Sequence, residues 1–207
     1  MVKVKICGIT NLEDALASVK AGCDAIGFVF YKKSPRYIAP AKVKDIVNQL
    51  PKQVIKVGVF ANSKEKTIKD IAKSCSLDIL QFHGNESPQF VRRFKGLKII
   101  KAFRVKDRAD LKKILKYKTF AYLFDTFVKS KVGGTGKRFD WKLVRHIDNI
   151  KRPVFLSGGL TAENVKNALE VVKPHWVDVS SSVEASLGKK DHKKVKEFVR
   201  IVKKSVL

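Results

Sequence analysis

The chain has few of the residues that build disulfide frameworks and metal centres. It contains three cysteines, Cys7, Cys23 and Cys75, and four scattered histidines in 207 residues. The number of cysteines is odd, their spacing fits no metal-binding pattern, and neither a CxxC nor an HExxH motif occurs. We therefore do not expect a disulfide-stapled scaffold, and the sequence predicts neither a metal site nor another cofactor. Cys23 and Cys75 are interpreted as structural.

Long apolar runs are also missing. The longest, such as residues 25–31, have the length of a strand, and none is long enough to cross a bilayer. The first six residues alternate apolar side chains with lysine, whereas a signal peptide needs an unbroken apolar segment. We expect a mature, soluble, cytoplasmic protein with no membrane partner, and its length suits a single domain, 1–207, with a substantial core.

Acidic residues are scarce beside basic ones. The chain has 19 Asp and Glu against 44 Lys and Arg, a formal net charge of +25. Such a surface attracts nucleic acids and anionic substrates without base specificity. The basic residues are spread along the whole chain, with no basic tail and no aromatic-interleaved RNA motif, so the pattern favours a lysine-coated surface without a specific nucleic-acid site. Nucleic-acid binding is the alternative, and steeply salt-dependent RNA binding without enzymatic turnover would favour it.

What the sequence does contain is one theme repeated eight times: a short β-branched run, a turn and an amphipathic helical pattern. In the first unit Thr10 and Glu13 have capping-box spacing. In the fourth, Ser87-Pro88 is typical of a helix N-cap followed by proline at the first helical position. The predicted strands are residues 2–7, 25–30, 55–60, 79–83, 98–103, 120–125, 154–157 and 176–180.

Eight strand–helix units in 207 residues average about 26 residues each, near the lower size limit of a (β/α)8 barrel. Strands that alternate with helices form a parallel sheet, and eight of them favour its closure. A doubly wound open sheet is the alternative, but the first strand is not followed by a GxGxxG turn. We predict a single-domain α/β protein, a TIM barrel with a closed parallel eight-stranded sheet.

In such a barrel the chemistry lies where the strands end and the loops into the helices begin. Cys7 ends strand 1 and Asp125 ends strand 6, so the two face each other across the mouth. Taken alone, a lone cysteine is more often a small buried apolar residue, and an aspartate often caps a loop or helix. Lys3 and Lys5 flank Cys7, and the sequence leaves open whether either favours the thiolate that a base requires.

Two loops have the features of a phosphate site. Gly158 and Gly159 follow strand 7, and Ser180 and Ser181 follow strand 8. These are the two loops on which such barrels commonly bind phosphate through backbone N–H groups. Tight turns without a ligand are the alternative, because Gly-Gly is common in turns.

Four further residues complete the predicted mouth. Gly133 and Gly134 follow strand 6 in a longer loop, which is either a mobile lid or a loop without a ligand. His83 and Asp178 also end strands, and we expect both to line the substrate site. We expect His83 to support the end of strand 4 and not to titrate in catalysis.

Ten short segments, taken together and in order, are far more specific than any one of them. They are VKICGIT (4–10), GFVF (27–30), SPRYI (34–38), VGVF (57–60), QFHG (81–84), GGTGK (133–137), FDW (139–141), LSGGL (156–160), ENV (163–165) and DVSS (178–181). Over nearly the whole chain this pattern resembles the phosphoribosylanthranilate isomerase family of tryptophan biosynthesis.

The resemblance implies an Amadori rearrangement of N-(5'-phosphoribosyl)anthranilate to 1-(2-carboxyphenylamino)-1-deoxyribulose 5-phosphate, with a phosphorylated small molecule as partner. It implies that Asp125 is the general acid, that Cys7 is the general base, and that Arg36 binds the anthranilate carboxylate. One departure is Ser182, which stands where the family usually has a glycine in a phosphate-contacting loop. Whether the chain is a monomer or a homodimer is left open.

The nearest rival functions belong to other phosphate-binding barrels, such as sugar-phosphate epimerases and decarboxylases. Those enzymes usually use a metal with several His and Asp ligands, or an array of Lys and Asp at the strand ends. Neither arrangement is recognisable in this sequence, which favours acid–base isomerisation.

Overall fold

Eight parallel strands hydrogen-bond to one another in chain order, and the last pairs with the first to close a barrel. The computed structural model describes residues 1–105, 113, 114, 116–126 and 151–205. The predicted closed parallel sheet is confirmed, and the predicted strand ends differ from the observed ones by at most two residues. The strands are β1 Lys3–Cys7, β2 Ala25–Val29, β3 Ile55–Phe60, β4 Ile79–Phe82, β5 Lys98–Val105, β6 Ala121–Thr126, β7 Val154–Ser157 and β8 Trp176–Val179.

Helices follow the strands, as the repeated pattern predicts. Within the described residues they are α1 Leu12–Lys20, α2 Pro40–Val47, α3 Glu65–Ser74, α4 Pro88–Val91, α5 Val165–Val172 and α6 His192–Lys204. Between β8 and α6 the chain forms a short 3-10 helix, Ser181–Val183, and a hairpin of β9 Glu184–Ser186 and β10 Lys189–Lys190. No helix in these described stretches is both long and apolar enough to cross a membrane.

The two predicted helix caps have different outcomes. Ser87 caps α4 as predicted, because its hydroxyl accepts from the Phe90 N–H at 3.2 Å and proline follows it. The capping box at Thr10 is wrong: Asn11 is the N-cap of α1 and accepts from the Asp14 N–H at 2.8 Å. The Thr10 hydroxyl instead donates to the carbonyl of Gly188 at 2.5 Å, a partner 178 residues away that no local pattern reveals.

The strands are buried on both faces, because helices cover the outside of the barrel and side chains fill its inside. Outward residues such as Val4 and Ile6 pack with the apolar helix faces in one core. A second core lies inside the barrel and consists of Ala25, Val57, Ile79, Ile100, Ala102, Ala121, Leu123, Phe155 and Trp176. Four buried polar side chains on these strands, Lys5, Gln81, Lys101 and Asp178, stand out in so apolar a setting, and the last three line the cavity at the mouth.

Candidate active site

A cavity of about 860 Å³ is lined by residues from the carboxyl ends of the strands and from the loops that follow them. Among its lining residues are all the predicted site residues that the structure describes, while Gly133 and Gly134 lie outside the described residues. A thiol and a carboxyl group from opposite sides of the barrel therefore face one cavity. The predicted residues in its lining are Cys7, Arg36, His83, Asp125, Gly158, Gly159, Asp178, Ser180 and Ser181.

The thiol side of the cavity contains a buried ion pair. Lys5 precedes Cys7 by two residues on β1, so both side chains point to the same face of the sheet. The ammonium of Lys5 lies 2.7 Å from Oδ1 of Asp178 on the neighbouring strand β8, and Lys5 is fully buried. A β-carbon built on Gly27 would lie 2.7 Å from the sulfur of Cys7 and 3.1 Å from the Lys5 ammonium. Glycine at this position therefore leaves the room that both groups occupy.

The electrostatics of the thiol side combine burial with several charges. Burial raises the pKa of the Cys7 thiol above its ordinary value, the charge of Lys5 opposes this rise, and the carboxylate of Asp178 adds to it. Burial alone would lower the pKa of the Lys5 ammonium, but the charges of Asp178 and Cys7 outweigh burial and raise it. Lys5 therefore stays protonated beside the sulfur. The sequence indicated no pairing of Lys with Asp at the strand ends, and this buried pair corrects that expectation.

The carboxyl side contains a chain of hydrogen-bonded side chains that ends on Asp125. Oδ2 of Asp125 lies 3.1 Å from Nε2 of His83, and Nδ1 of His83 lies 3.1 Å from the amide nitrogen of Gln81. An amide nitrogen only donates, so Nδ1 accepts and Nε2 carries the proton that is donated to Asp125. His83 thus supports the end of β4, and its proton-bearing nitrogen orients the carboxyl group.

Gln81 has a further peculiarity. It is almost fully buried, and its Oε1 is the one buried side-chain polar atom without a hydrogen-bond partner among the described residues. A buried amide oxygen without a partner costs free energy, about 1–3 kcal/mol. Gln81 lines the cavity beside His83, so the unpaired oxygen and its free-energy cost belong to the site itself.

Arg36 is held in a buried network before any substrate arrives. Its Nε and one terminal nitrogen each lie 2.7 Å from an oxygen of Glu184, a bidentate pair. Lys190 donates to the same carboxylate at 3.0 Å. Burial raises the pKa of Glu184, but the hydrogen bonds from Arg36 and Lys190 outweigh it and hold the pKa below its usual range. Glu184 occupies one edge of the guanidinium, so the edge formed by its two terminal nitrogens is the one suited to a ligand carboxylate.

The loops after β7 and β8 are linked to each other and to β1. Gly158 and Gly159 have φ values of +88° and +65°, which side chains other than glycine rarely adopt. The Ser182 hydroxyl donates to the carbonyl of Leu160 and so joins the two loops. The Ser180 hydroxyl donates to the carbonyl of Cys7 at 3.0 Å, which ties these loops to the end of β1.

The other two cysteines lie away from the cavity lining. Burial raises the pKa of Cys23 to about 12, so its thiol is inert near neutral pH. Cys75 is the C-cap residue of α3, and its thiol donates to the carbonyl of Pro40 at 3.4 Å. Both contribute packing, in agreement with the sequence interpretation.

Sequence reasoning left the role of Lys5 open and missed three further residues of the site: Gln81, Glu184 and Lys190. Two of these four residues carried a usable signal, because Lys5 and Gln81 each precede a predicted site residue by two positions in a strand and so share its face. Glu184 and Lys190 carried none, since they follow the end of β8 and come near Arg36 only through the fold of the hairpin.

The closed eight-stranded α/β barrel is a TIM barrel. A thiol and a carboxyl group share the cavity at its mouth, beside two linked loops that contain glycine and serine. These features together are those of a TIM-barrel enzyme. The family model for N-(5'phosphoribosyl)anthranilate (PRA) isomerase matches residues 4–201. The chain belongs to this family.

Individual relatives agree with the family match. The N-(5'-phosphoribosyl)anthranilate isomerase of Pelobacter propionicus is 47 % identical over 205 residues, which cover 99 % of this chain and 97 % of that protein. The crystal structure of phosphoribosyl anthranilate isomerase from Thermotoga maritima superimposes with a TM-score of 0.92 at 47 % identity, over 99 % of this chain and 100 % of the other. A second solved isomerase, in complex with reduced 1-(o-carboxyphenylamino)-1-deoxyribulose 5-phosphate, gives a TM-score of 0.90 at 45 % identity, with 99 % and 100 % covered.

Proposed function

We propose that this chain converts N-(5'-phosphoribosyl)anthranilate to 1-(2-carboxyphenylamino)-1-deoxyribulose 5-phosphate, with Asp125 as the general acid and Cys7 as the general base. The observation that carries the proposal is the single cavity that both residues line, in a chain of this family. The isomerisation needs one proton delivered and one removed at adjacent parts of the same sugar, and groups on opposite walls of one cavity suit that need. We propose that residues 1–207 act as one catalytic domain in the cytoplasm.

Ring opening is the first step. A proton passes from the carboxyl group of Asp125 to the ring oxygen, the C1'–O bond breaks, and its electron pair stays on that oxygen. The amine lone pair forms the C=N bond of a protonated Schiff base. Because His83 donates to Oδ2, we assign the transferred proton to Oδ1.

Proton abstraction is the second step. The positive Schiff base acidifies the C2' hydrogen, and the Cys7 thiolate removes it. The electron pair of the C–H bond then forms the C1'=C2' bond of an enolamine, and the nitrogen regains its lone pair. Tautomerisation of the enolamine gives the ketone product. The sulfur ends this step as a thiol and Asp125 is left as a carboxylate, so the sulfur must release a proton and Asp125 must take one up, through solvent, before the next turnover.

Binding is assigned to the remaining residues. We propose that the edge of Arg36 formed by its two terminal nitrogens binds the anthranilate carboxylate, and the occupation of its other edge by Glu184 supports this. The backbone around Gly158 and Gly159 and around Ser180 and Ser181 suits the phosphate, since exposed N–H groups of tight loops bind anions. Gly133 and Gly134 are proposed to contact the substrate from the loop after β6, and His83 and Asp178 to line it.

Loss of the anthranilate substrate's fluorescence measures the turnover of the purified chain. We expect Cys7→Ala and Asp125→Asn each to lower kcat by about 10²–10⁴-fold, the usual contribution of a general acid or base, with unchanged circular dichroism. Arg36→Met should chiefly raise KM. Cys23→Ala is the matched control, since it removes a buried thiol outside the cavity, and its turnover should be normal. Wild-type turnover in Cys7→Ala would refute the role of the thiol as base.

A further inference from the structure

Lys5 is a fully buried lysine that the proposed reaction does not use directly. Its ammonium donates to Oδ1 of Asp178 at 2.7 Å, and Ser157 donates to Oδ2 of the same carboxylate at 3.3 Å. An ammonium and a carboxylate inside an apolar barrel are costly to desolvate, and such a pair often contributes nothing to stability compared with apolar residues. The position of this pair beneath the cavity suggests a role in the chemistry.

The ammonium and the sulfur of Cys7 are neighbours. Both lie over the bare backbone of Gly27, where an added β-carbon would be 2.7 Å from the sulfur and 3.1 Å from the ammonium. The two side chains leave β1 on the same face, and the positive charge of the ammonium acts on the sulfur. Asp178 holds the ammonium from the other side, which leaves it little freedom to turn away.

We infer that Lys5 is a positioning residue that stabilises the thiolate of Cys7, with Asp178 fixing the ammonium beside the sulfur. This inference deepens the proposed function, because it assumes that the thiolate is the base. The ammonium keeps its proton throughout the cycle: the C2' proton goes to the sulfur, and Lys5 supplies only the positive charge that makes the thiolate accessible in a dry site.

The charged groups around the sulfur support this assignment. Besides Lys5 and Asp178, Lys190 and the guanidinium of Arg36 act on Cys7 from the hairpin and from the loop after β2. Those two cations share the carboxylate of Glu184 and so have a strong partner elsewhere. Of the cations near Cys7, Lys5 has the largest effect on its pKa.

The test is the pH dependence of Cys7 alkylation by iodoacetamide in the substrate-free protein, followed by peptide mass spectrometry. Only the thiolate reacts, so the midpoint reports the thiol pKa without any turnover. We expect Lys5→Met to raise the midpoint by about one to three pH units, as loss of an adjacent opposite charge does. Lys5→Arg keeps the positive charge, so its midpoint should stay close to that of the wild type.

Lys101→Met is the matched control. Lys101 is also buried and pairs with a carboxylate, Glu86, at 2.8 Å. Its loss removes a comparable ion pair from the same barrel without touching Cys7, so the Cys7 midpoint should stay unchanged. An equal shift in this control would overturn the specific role of Lys5.

Lys5→Met leaves the carboxylate of Asp178 buried without its partner, which can destabilise the protein. A second variant removes this charge as well. The double variant Lys5→Met/Asp178→Asn buries no charge at this place. Its midpoint should still rise, because Lys5 affects the thiol pKa more than Asp178 does. A wild-type midpoint in a folded single or double variant would refute the inference.

The pH profile of kcat/KM separates this inference from the proposed function. The alkaline rise of the profile should move to higher pH in Lys5→Met by the same amount as the alkylation midpoint. A shifted midpoint with an unshifted profile would overturn the link between Lys5 and catalysis. Normal turnover of Cys7→Ala would instead overturn the assignment of the base and leave the alkylation result intact.

Discussion

The two walls of the cavity present their proton-transferring groups in opposite ways. Cys7 sits in a buried setting of charges, with Lys5 fixed by Asp178 at 2.7 Å. Asp125 sits at a partly exposed position, with a side chain one-quarter (25 %) accessible, and its partner is a neutral imidazole held by an amide. The thiol therefore has charged partners at a buried position, whereas the carboxyl group has a neutral hydrogen-bond partner at a more exposed one.

The difference follows from what each group must become. A thiol has to lose its proton to act as a base, so burial alone works against it and a neighbouring cation is needed. A carboxyl group has to hold a proton to act as an acid, and a nearby cation would work against that. The imidazole that orients Asp125 carries no added charge in the tautomer that Gln81 selects. The comparison predicts that charge changes matter on the Cys7 wall and that hydrogen-bond geometry matters on the Asp125 wall.

Gly27→Ala breaks the Cys7 wall most directly. The new β-carbon would meet the sulfur at 2.7 Å and the Lys5 ammonium at 3.1 Å, so both must move. We expect kcat to fall by about a hundredfold, the cost of a misplacement of about 1 Å. Gly58→Ala is the control, because its β-carbon would instead meet the side chain of Leu77 outside the cavity lining. Equal losses of turnover at matched stability in the two variants would contradict the role of this space.

Glu184→Gln tests whether the charges of the Cys7 wall depend on one carboxylate. Arg36 and Lys190 would lose their shared partner, which we expect to lower stability by about 3–5 kcal/mol and to raise KM by about tenfold because Arg36 is no longer aimed. Urea unfolding and steady-state kinetics measure the two effects. A larger change in kcat than in KM would show that Glu184 serves the chemistry and not the carboxylate site.

The same carboxylate has a predicted pH signature. The folded-state pKa of Glu184 is held below its usual range, so its stabilising contribution is complete above the unfolded value, about pH 4.3. The contribution is lost as the pH falls from there through the folded-state pKa. The free energy of unfolding should therefore fall more steeply over this window in the wild type than in Glu184→Gln. Parallel curves would contradict the assignment.

His83→Phe tests the Asp125 wall. The variant removes the N–H that donates to Oδ2 of Asp125 at 3.1 Å. We expect kcat to fall by about tenfold, the effect of losing one hydrogen bond to a carboxyl group on which charge develops. Gln81→Leu removes the donor to Nδ1 together with the buried unpaired oxygen. It should lower kcat less and leave stability equal or higher. A loss above about a thousandfold in His83→Phe, more than one hydrogen bond is worth, would mean that the imidazole itself transfers a proton.

The barrel and the ends of its strands could be predicted from the sequence, because both arise from local periodicity. The alternation of β-branched runs with helical stripes sets the eight units, and strand ends set Cys7 and Asp125 at the mouth. The pairing of Lys5 with Asp178, 173 residues apart, could not be predicted in this way, and neither could that of Arg36 with Glu184, 148 residues apart. Those contacts exist only once β8 closes onto β1 and the hairpin folds back, so no local pattern contains them.

Ser182→Gly, the smallest expected effect, concerns the loops that join the two walls. The Ser182 hydroxyl donates to the carbonyl of Leu160 and links the loop after β8 to the loop after β7. Loss of one neutral hydrogen bond costs about 1 kcal/mol, so we expect KM to rise by at most about fivefold while kcat stays unchanged. Ser181→Gly is the comparison, since Ser181 also lines the cavity. A lower KM in Ser182→Gly would mean that the link holds the loops apart and that the residue the family usually carries binds phosphate better here.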